Sequence, residues 1–346
     1  MQKRMIQQVM TAPGEISFRE IPVPVAGPEQ ILVRTKRIGI CGSDIHVYHG
    51  KHPYTSYPVT QGHEISGEIS AVGSAVTGFS VGQRVTIEPQ VACGTCYNCR
   101  HGRYNICEQL KVMGFQTTGA ASEYFSIDQK RVDLLPDNVD DDQGAMVEPA
   151  AVAVHAVRRS GPLKGQKVVV LGAGPIGNLV AQAAKAVGAA QVMITDVSDF
   201  RLAIAKDCGT EFTVNTGTVD LGAAIEEHFG ADRADVIYDC AGNDITMGQA
   251  IRFARKGSTI ILVAVYAGTA HVDLAMLNDH ELDLNTTMMY TRADFTEAIQ
   301  FIAEGTIRLH PLMSRHFAFA DFLDAYRYID SHREMTLKVL IDVESE

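Results

Sequence analysis

The sequence predicts an α/β protein of two domains, in which a β-rich domain precedes a doubly wound domain with a parallel sheet. Three observations support this prediction. The chain has 346 residues, which is more than one hydrophobic core usually supports. Short β segments, separated by Gly, Pro, Asn and Asp, fill residues 1–146. From about residue 150 onward, apolar strands alternate with helical patterns, which is typical of βαβ units.

Individual elements follow from local patterns. In the β-rich part, the best strand candidates have β-branched residues bounded by turn residues: 31–40, 64–73 and 83–89. In the second part, the predicted strands are continuous apolar runs: 167–171, 191–195, 234–240 and 258–265. The predicted helices show amphipathic spacing or end at glycine: 175–187, 198–209, 295–305 and 319–331.

Charge and composition exclude several classes of function. The net charge of −11 argues against a nucleic acid or an anionic membrane surface as partner. No apolar run reaches about 18 residues, so no membrane span is expected. The N-terminal MQKRMIQQVM lacks the apolar stretch of a secretion signal. We therefore expect a cytoplasmic protein, in which clustered cysteines are metal ligands rather than disulfides.

A glycine-rich turn follows the strand at 167–171 and opens a helix. Gly172, Gly174 and Gly177 form G-x-G-x-x-G in the context that dinucleotide binding requires. The first glycine allows the tight turn, the second lets the backbone approach a pyrophosphate, and the third lets helix and strand pack closely. The helix N-terminus supplies unpaired N–H groups for the phosphates. The turn therefore predicts a dinucleotide site.

The next strand ends at Asp196, where a carboxylate can hold the hydroxyls of a ribose. The same charge would repel a 2′-phosphate, and Val197 follows instead of arginine, so the sequence favours NAD over NADP. Arg201, one turn further on, is a possible phosphate ligand. The remaining predicted cofactor contacts are apolar: Ile176, Val263 and Val265.

Four of the seven cysteines lie within seventeen residues, at Cys93, Cys96, Cys99 and Cys107. The spacing is C-x2-C-x2-C-x7-C. Four thiolates complete the tetrahedron that zinc prefers and leave no position for a substrate. This set therefore predicts a structural Zn²⁺ that folds a loop too polar to fold by burial.

A second set of candidate ligands is scattered along the chain. Cys41 lies in GICGSD, His63 and Glu64 lie in GHEISGEI, and Glu148 lies in VEPAAVAVH. Together they offer sulfur, nitrogen and oxygen, but fewer firm ligands than a closed site needs. Such a set predicts an open Zn²⁺ site with a position for water or substrate.

With these residues the sequence resembles the zinc-dependent medium-chain alcohol dehydrogenase family. Residues 62–76, GHEISGEISAVGSAV, fit the zinc signature of that family. The four-cysteine lobe, GAGPIG and the final segment follow in the expected order. The combination of Gly-His-Glu with Glu-Pro is most similar to the polyol (sorbitol-type) and threonine dehydrogenase branch.

The resemblance implies a GroES-like catalytic domain at 1–149 with a C-terminal return at 290–346, and a Rossmann NAD-binding domain at 150–289. The catalytic zinc would lie in the cleft between them and face the nicotinamide. Cys41 and His63 would bind this zinc, and Glu64 and Glu148 would each act directly or through a water. The implied proton relay and a residue that orients a ligand come from CGSDIH: Ser43, His46 and Asp44.

The implied reaction is the reversible, NAD-dependent oxidation of a secondary alcohol, a small polyol or sugar alcohol, to the ketone. Candidate lining residues of the substrate pocket are Tyr48, Phe115, Glu148 and Tyr290. Met289 stands where polyol dehydrogenases often have arginine. Two alternatives stay open: an L-threonine 3-dehydrogenase, and a non-catalytic protein that binds a dinucleotide and zinc. The resemblance also implies a homodimer or homotetramer, with the strand at 258–265 as the candidate for pairing between subunits.

Overall fold

The computed structural model describes residues 3–266 and 268–343 and contains two compact units. The first unit comprises the chain up to Glu148 and the segment from Met313 onward, and the second is Pro149–Leu312. No helix in these described ranges combines the length and the apolar character needed to cross a bilayer.

The first unit begins with strands joined by turns and by three short helices. Its elements are β1 (Arg4–Ala12), β2 (Glu15–Pro22), β3 (Gln30–Ile40), α1 (Gly42–Tyr48), β4 (Glu64–Val72), β5 (Arg84–Ile87), β6 (Gln90–Val91), α2 (Tyr97–Arg100), β7 (Lys111–Val112), β8 (Tyr124–Asp128), β9 (Val132–Leu134) and α3 (Asp141–Ala145). The predicted strands at 31–40, 64–73 and 83–89 correspond to β3, β4 and β5.

The second unit alternates helices and parallel strands, as the sequence predicts. Its elements are α4 (Val147–Arg158), which begins in the first unit, β10 (Lys167–Leu171), α5 (Pro175–Ala186), β11 (Gln191–Asp196), α6 (Asp199–Asp207), β12 (Phe212–Asn215), α7 (Leu221–Phe229), β13 (Ala234–Asp239), α8 (Asp244–Phe253), β14 (Ala254–Leu262), α9 (Leu274–Asp279), β15 (Asp283–Thr286) and α10 (Arg292–Ala303). The chain then returns to the first unit with β16 (Met313–Ala318), α11 (Phe322–Ser331) and β17 (Lys338–Asp342).

The main sheet of the first unit has the order β16-β17-β3-β4-β5-β9, with β8 also paired to β3. Strand β3 is central because it hydrogen-bonds to β4, β8 and β17. Its β-branched residues Ile31, Val33 and Ile38 are fully buried in the core. Strand β3, from the early part of the chain, and β17, from its last described part, therefore lie side by side in one sheet.

The sheet of the second unit has the parallel order β12-β11-β10-β13-β14-β15. The chain reverses its direction of winding between β10 and β13. In open parallel sheets of this kind, ligands bind beyond the carboxyl ends of the strands at that reversal. The order is the one expected of a Rossmann domain, and it places the glycine-rich turn after β10 at the reversal.

Two predicted features differ from the structure. The C-terminal return was predicted from residue 290, but residues 290–312 belong to the second unit. They are anchored there by Asp294 of α10, which is fully buried and accepts a hydrogen bond from Thr291 N at 2.8 Å. Its Oδ2 also lies 2.8 Å from His155 Nδ1 of α4.

The strand predicted at 258–265 is β14, which starts earlier and ends at Leu262. It is an inner strand, because β15 pairs along its outer side. The prediction that this strand pairs with a second subunit is therefore wrong, since both of its edges are already hydrogen-bonded. Val263 and Val265 follow the strand, and Val265 is exposed.

Candidate metal centres and dinucleotide site

Two neighbouring strands bring Cys41, His63 and Glu64 together. Cys41 directly follows β3 as the N-cap of α1, and His63 directly precedes β4, whose first residue is Glu64. Strands β3 and β4 are antiparallel with Gly39 opposite Glu64, so the end of one strand meets the start of the other. One ligand atom from each of the three side chains lies within 4.8 Å of the other two.

Gly39 provides the room that this arrangement needs. An ideal Cβ at this position would lie 2.1 Å from Glu64 Oε2. A larger residue would therefore push the carboxylate away from the other two side chains. The glycine in the middle of a β pattern thus marks a close approach of a side chain to the backbone.

Lys338 is a buried cation that sequence reasoning missed. Strand β17 is antiparallel to β3 with Val339 opposite Ile40, which places Lys338 beside the end of β3. Its Nζ lies 2.7 and 2.6 Å from the two carboxylate oxygens of Glu64 and 3.3 Å from the carbonyl oxygen of Ile40. Both charged side chains are at most 4% exposed.

The pKa of Lys338 shows how strongly negative its surroundings are. Burial alone lowers the pKa of an ammonium, but the charges of Glu64, Cys41 and Glu148 outweigh it and raise the pKa of Lys338. Glu148 is also buried, but it does not join the group of three ligand atoms within 4.8 Å. The structure thus assembles three of the four predicted ligands and leaves Glu148 outside the cluster.

Asp44 connects the N-cap of α1 to the candidate ligand His63. It accepts hydrogen bonds from Cys41 N at 2.9 Å and from Gln61 Nε2 at 3.2 Å. Gln61 is fixed in turn by the Tyr326 hydroxyl at 2.6 Å. Asp44 Oδ1 lies 3.6 Å from His63 Nδ1. Asp44 was predicted to orient a ligand, whereas Gln61 and Tyr326 carried no motif that identified them.

The state of His63 tests whether this cluster suits a metal ion. Its Nδ1 is buried and makes no hydrogen bond to any described residue. Burial alone would lower the pKa of His63, but Asp44 and Cys41 outweigh it and raise the pKa well above the ordinary value. The cluster therefore attracts positive charge. A histidine that binds zinc through one ring nitrogen and faces a carboxylate with the other is a common arrangement, so these residues fit zinc.

Helix α1 carries the predicted relay residues. Ser43 and His46 are three positions apart, which makes them neighbours on one helix face. His46 is exposed to solvent. Of the predicted lining residues in the first unit, Phe115 packs against His63 at 4.9 Å between ring centroids, and Tyr48 stacks on Tyr326 at 4.7 Å.

Tyr290 is the one predicted lining residue that lies in the second unit. Its side chain is fully buried and packs against Phe295 of α10, with ring centroids 5.4 Å apart. Met289, which precedes Tyr290, adopts a left-handed backbone with φ of 48°.

The four clustered cysteines are all free thiols and form a compact group. Their sulfur atoms lie within 4.8 Å of one another, and the Cys93–Cys99 and Cys96–Cys107 pairs are 3.9 Å apart. A tetrahedron with Zn–S bonds of about 2.3 Å has edges of about 3.8 Å, so this geometry fits zinc. Backbone N–H groups of Thr95 and Cys96 lower the pKa of Cys93 to about 6, whereas desolvation and the neighbouring thiols raise the pKa of Cys99 to about 12, so the four thiols do not ionise alike without a bound cation.

The glycine-rich turn has the backbone that its sequence predicts. Gly172 directly follows strand β10 and has φ of +98°, and Pro175 occupies the first position of α5. An ideal Cβ on Gly177 would lie 1.8 Å from the carbonyl oxygen of Gly172, so only glycine lets the helix pack this closely. Ile176 lies partly buried in the first turn. The helix N-terminus therefore stays accessible to a phosphate.

Asp196 at the end of β11 is held beside this turn by backbone N–H groups. Its Oδ2 accepts from Ala173 N at 2.8 Å, and its Oδ1 accepts from Val197 N at 2.8 Å and Ser198 N at 3.0 Å. Arg201 Nη1 lies 3.8 Å from the carboxylate. The carboxylate is thus preorganised next to the turn, as a ribose ligand requires.

Comparison with known proteins agrees with this architecture. Residues 27–137 match the alcohol dehydrogenase GroES-like domain, and residues 175–304 match the zinc-binding dehydrogenase domain. The 2-dehydro-3-deoxy-L-galactonate 5-dehydrogenase of Pseudoalteromonas atlantica is 36% identical over 96% of this chain and 98% of its own. Sorbitol dehydrogenase 1 of Saccharomyces cerevisiae is 34% identical over 96% of both chains.

Two solved structures with bound cofactor are similar over nearly the whole chain. A putative zinc-binding dehydrogenase from Sinorhizobium meliloti, bound to NADP, has a TM-score of 0.91 and 30% identity over 99% of this chain and 100% of its own. The rspB alcohol dehydrogenase of Escherichia coli CFT073, in complex with NADH, has a TM-score of 0.90 and 31% identity over 98% and 99%. The chain therefore belongs to the zinc-dependent medium-chain alcohol dehydrogenase family. It is an oxidoreductase that uses zinc and a nicotinamide dinucleotide.

Proposed function

We propose that this enzyme oxidises a secondary hydroxyl of a small polyol or sugar-derived alcohol to the ketone, reversibly and with NAD. The observation that carries the proposal is the cluster of half-buried Cys41 with buried His63 and Glu64. Relatives that act on sorbitol and on a galactonate derivative support a polyhydroxylated substrate. When bound, zinc supplies a Lewis acid that lowers the pKa of the alcohol, and the nicotinamide supplies the hydride acceptor.

The side chains of the first unit prepare this chemistry. Cys41 and His63 would hold the ion, and the carboxylate of Asp44, the third residue of α1, would orient the ring of His63 that it faces at 3.6 Å. Lys338 balances the charge of Glu64. The cluster is therefore less negative and can accept an anionic oxygen of the substrate. Ser43 accepts the proton of the substrate hydroxyl as it passes its own hydroxyl proton on towards His46, which is exposed on the same helix face and releases a proton to solvent.

The cofactor set follows from the second unit and from the cysteine lobe. We propose NAD rather than NADP, because the Asp196 carboxylate next to the glycine-rich turn repels a 2′-phosphate. We further propose two zinc ions per chain, one at Cys41 and His63 and one at the four clustered cysteines. Metal analysis of the purified protein tests the count.

A substrate screen tests the reaction. Sorbitol, xylitol, L-galactonate, 2,3-butanediol and L-threonine are compared at saturating NAD and at saturating NADP, before and after chelation. We expect reduction of NAD with at least one polyol or sugar acid and loss of that activity after chelation. Oxidation of threonine alone would support the alternative of an L-threonine 3-dehydrogenase. NADH production that survives complete removal of metal would contradict the catalytic role of zinc.

The alternative of a non-catalytic protein that binds a dinucleotide and zinc predicts that at least one of Cys41, His63 and Glu148 is missing, whereas all three are present.

We also propose that the enzyme is cytoplasmic and assembles as a homodimer or homotetramer, as the family resemblance implies. Analytical ultracentrifugation of the purified protein tests the assembly.

A further inference from the structure

His52 lies in the loop after α1 and is stacked into the surroundings of the candidate metal centre. Its imidazole lies parallel to the ring of Phe115, with centroids 4.8 Å apart and an interplanar angle of 11°. The ring of Phe115 also packs against His63, at 4.9 Å between centroids. The two successive contacts place the imidazoles of His52 and His63 within about 10 Å of one another.

One ring nitrogen of His52 is anchored and the other is available. Nδ1 lies 2.8 Å from the hydroxyl of Thr55, a group that can donate or accept. Nε2 makes no hydrogen bond to any residue within 3–266 or 268–343. The stack on Phe115 and the contact with Thr55 together hold the ring, so a hydrogen bond to Nε2 would cost little further side-chain freedom.

The surroundings of His52 favour the neutral form of its imidazole. Burial lowers the pKa of His52, and the nearby His46 and His63 lower it further, although Asp44 acts in the opposite direction. A neutral imidazole can donate to a hydroxyl or accept from it, according to its tautomer. This is the chemistry that recognises a hydroxyl group rather than an anion.

The distance suits a polyol. With C–C bonds of about 1.5 Å, an extended chain of five or six carbons and its terminal hydroxyls spans roughly 8–9 Å. A hydrogen bond adds about 2.8 Å. A chain that reacts near His63 can therefore bring a hydroxyl several carbons away to Nε2 of His52.

We propose that His52 is a specificity-determining residue that hydrogen-bonds a distal hydroxyl of the substrate, an inference that rests on the proposed polyol oxidation. It favours polyhydroxylated chains over simple secondary alcohols of equal length. Phe115 and Thr55 act as positioning residues, since Phe115 stacks on the face of the His52 ring and Thr55 contacts its Nδ1.

The test uses the full-length, metal-loaded enzyme with two substrates. One is the polyol or sugar acid that the wild type oxidises best in the screen above, and the other is 2-hexanol, which has no distal hydroxyl. The variant His52→Phe keeps a ring on Phe115 but removes Nε2, and His52→Gln restores an amide donor. His49→Phe is the matched control, because His49 is a histidine of the same loop region that instead pairs with Asp330 at 3.0 Å.

We expect His52→Phe to lower kcat/KM for the polyol roughly 3- to 30-fold and to leave kcat/KM for 2-hexanol within about twofold, as expected when one hydrogen bond to substrate is lost. His52→Gln should recover part of the loss, and His49→Phe should affect both substrates equally. Equal losses on both substrates with His52→Phe, or no loss on either, would overturn the inference. If the wild-type enzyme oxidised none of the polyols or sugar acids, that result would instead contradict the proposed function.

Discussion

Replacing Lys338 with methionine keeps a long unbranched side chain but removes the charge that faces Glu64. In the wild type, the ammonium lies within 2.7 Å of both carboxylate oxygens, and neither side chain is more than 4% exposed. The variant leaves the Glu64 carboxylate buried beside the other candidate ligands, without the cation that balances it. An unbalanced buried charge is costly because the low-dielectric interior solvates it poorly.

The expected cost can be worked from this geometry. Removing one partner of a buried ion pair typically destabilises a protein by about 3–5 kcal/mol. For a unit of this size, about 1 kcal/mol corresponds to a shift of roughly 2–4 °C in Tm, so the metal-free variant should melt roughly 6–20 °C lower. In the zinc-loaded protein the loss should be smaller, because the ion supplies positive charge near Glu64.

Thermal unfolding followed by circular dichroism, with and without zinc, measures both values. Lys256→Met is the matched control, since Lys256 pairs with Asp279 on the exposed surface and its loss should shift Tm by no more than about 2 °C. The double variant Lys338→Met, Glu64→Gln should recover most of the stability, because it removes the stranded charge. A metal-free Lys338→Met protein that melts with the Lys256→Met control would refute the charge-balance argument.

Two further outcomes are expected. Although burial raises the pKa of Asp294, hydrogen bonds from His155 and Thr291 outweigh it and lower the pKa below its ordinary value. The stabilisation that this carboxylate gives is present above the unfolded pKa of about 3.9 and is lost as the pH falls through the lower folded pKa. Asp294→Asn should therefore lower the free energy of unfolding, measured in urea at pH 7, by about 1–3 kcal/mol. The difference from the wild type should shrink below about pH 4. An equal difference at pH 7 and pH 3 would contradict this account. In the cysteine lobe, Cys99→Ser should reduce the zinc content from two ions to one per chain, measured by atomic emission. The buried control Cys208→Ser should keep both ions. If Cys99→Ser also retained two zinc ions, that would argue against the four-thiolate site.

The sequence was most informative where a function depends on neighbours in the chain. The glycine-rich turn and the four cysteines are local patterns: the turn has the predicted backbone, and the cysteine sulfurs lie together. The convergence of Cys41 with His63 could be expected only from the resemblance to a family, because sequence spacing does not reveal strand register. The parallel sheet of the second unit was predicted from the alternation of strands with helices, whereas its strand order came from the structure.

Lys338 shows what sequence reasoning could not reach. Its partner Glu64 is 274 positions away, and only the pairing of β17 with β3 brings them together. A lysine at the start of an apolar strand resembles an ordinary solvent-facing charge. The boundary at residue 313 was missed for a similar reason, since the buried contacts of Asp294 that hold residues 290–312 in the second unit join distant helices.

The pairing of β17 with β3 also has a consequence for biosynthesis. A ribosome makes Cys41, His63 and Glu64 early and Lys338 only after the whole of the second unit has been synthesised. In the nascent first unit, Glu64 therefore lacks its partner Lys338, and β3 lacks its neighbour β17. The second unit is continuous in sequence and can fold as it emerges. The discontinuous first unit can therefore complete this sheet only after the second unit has been synthesised.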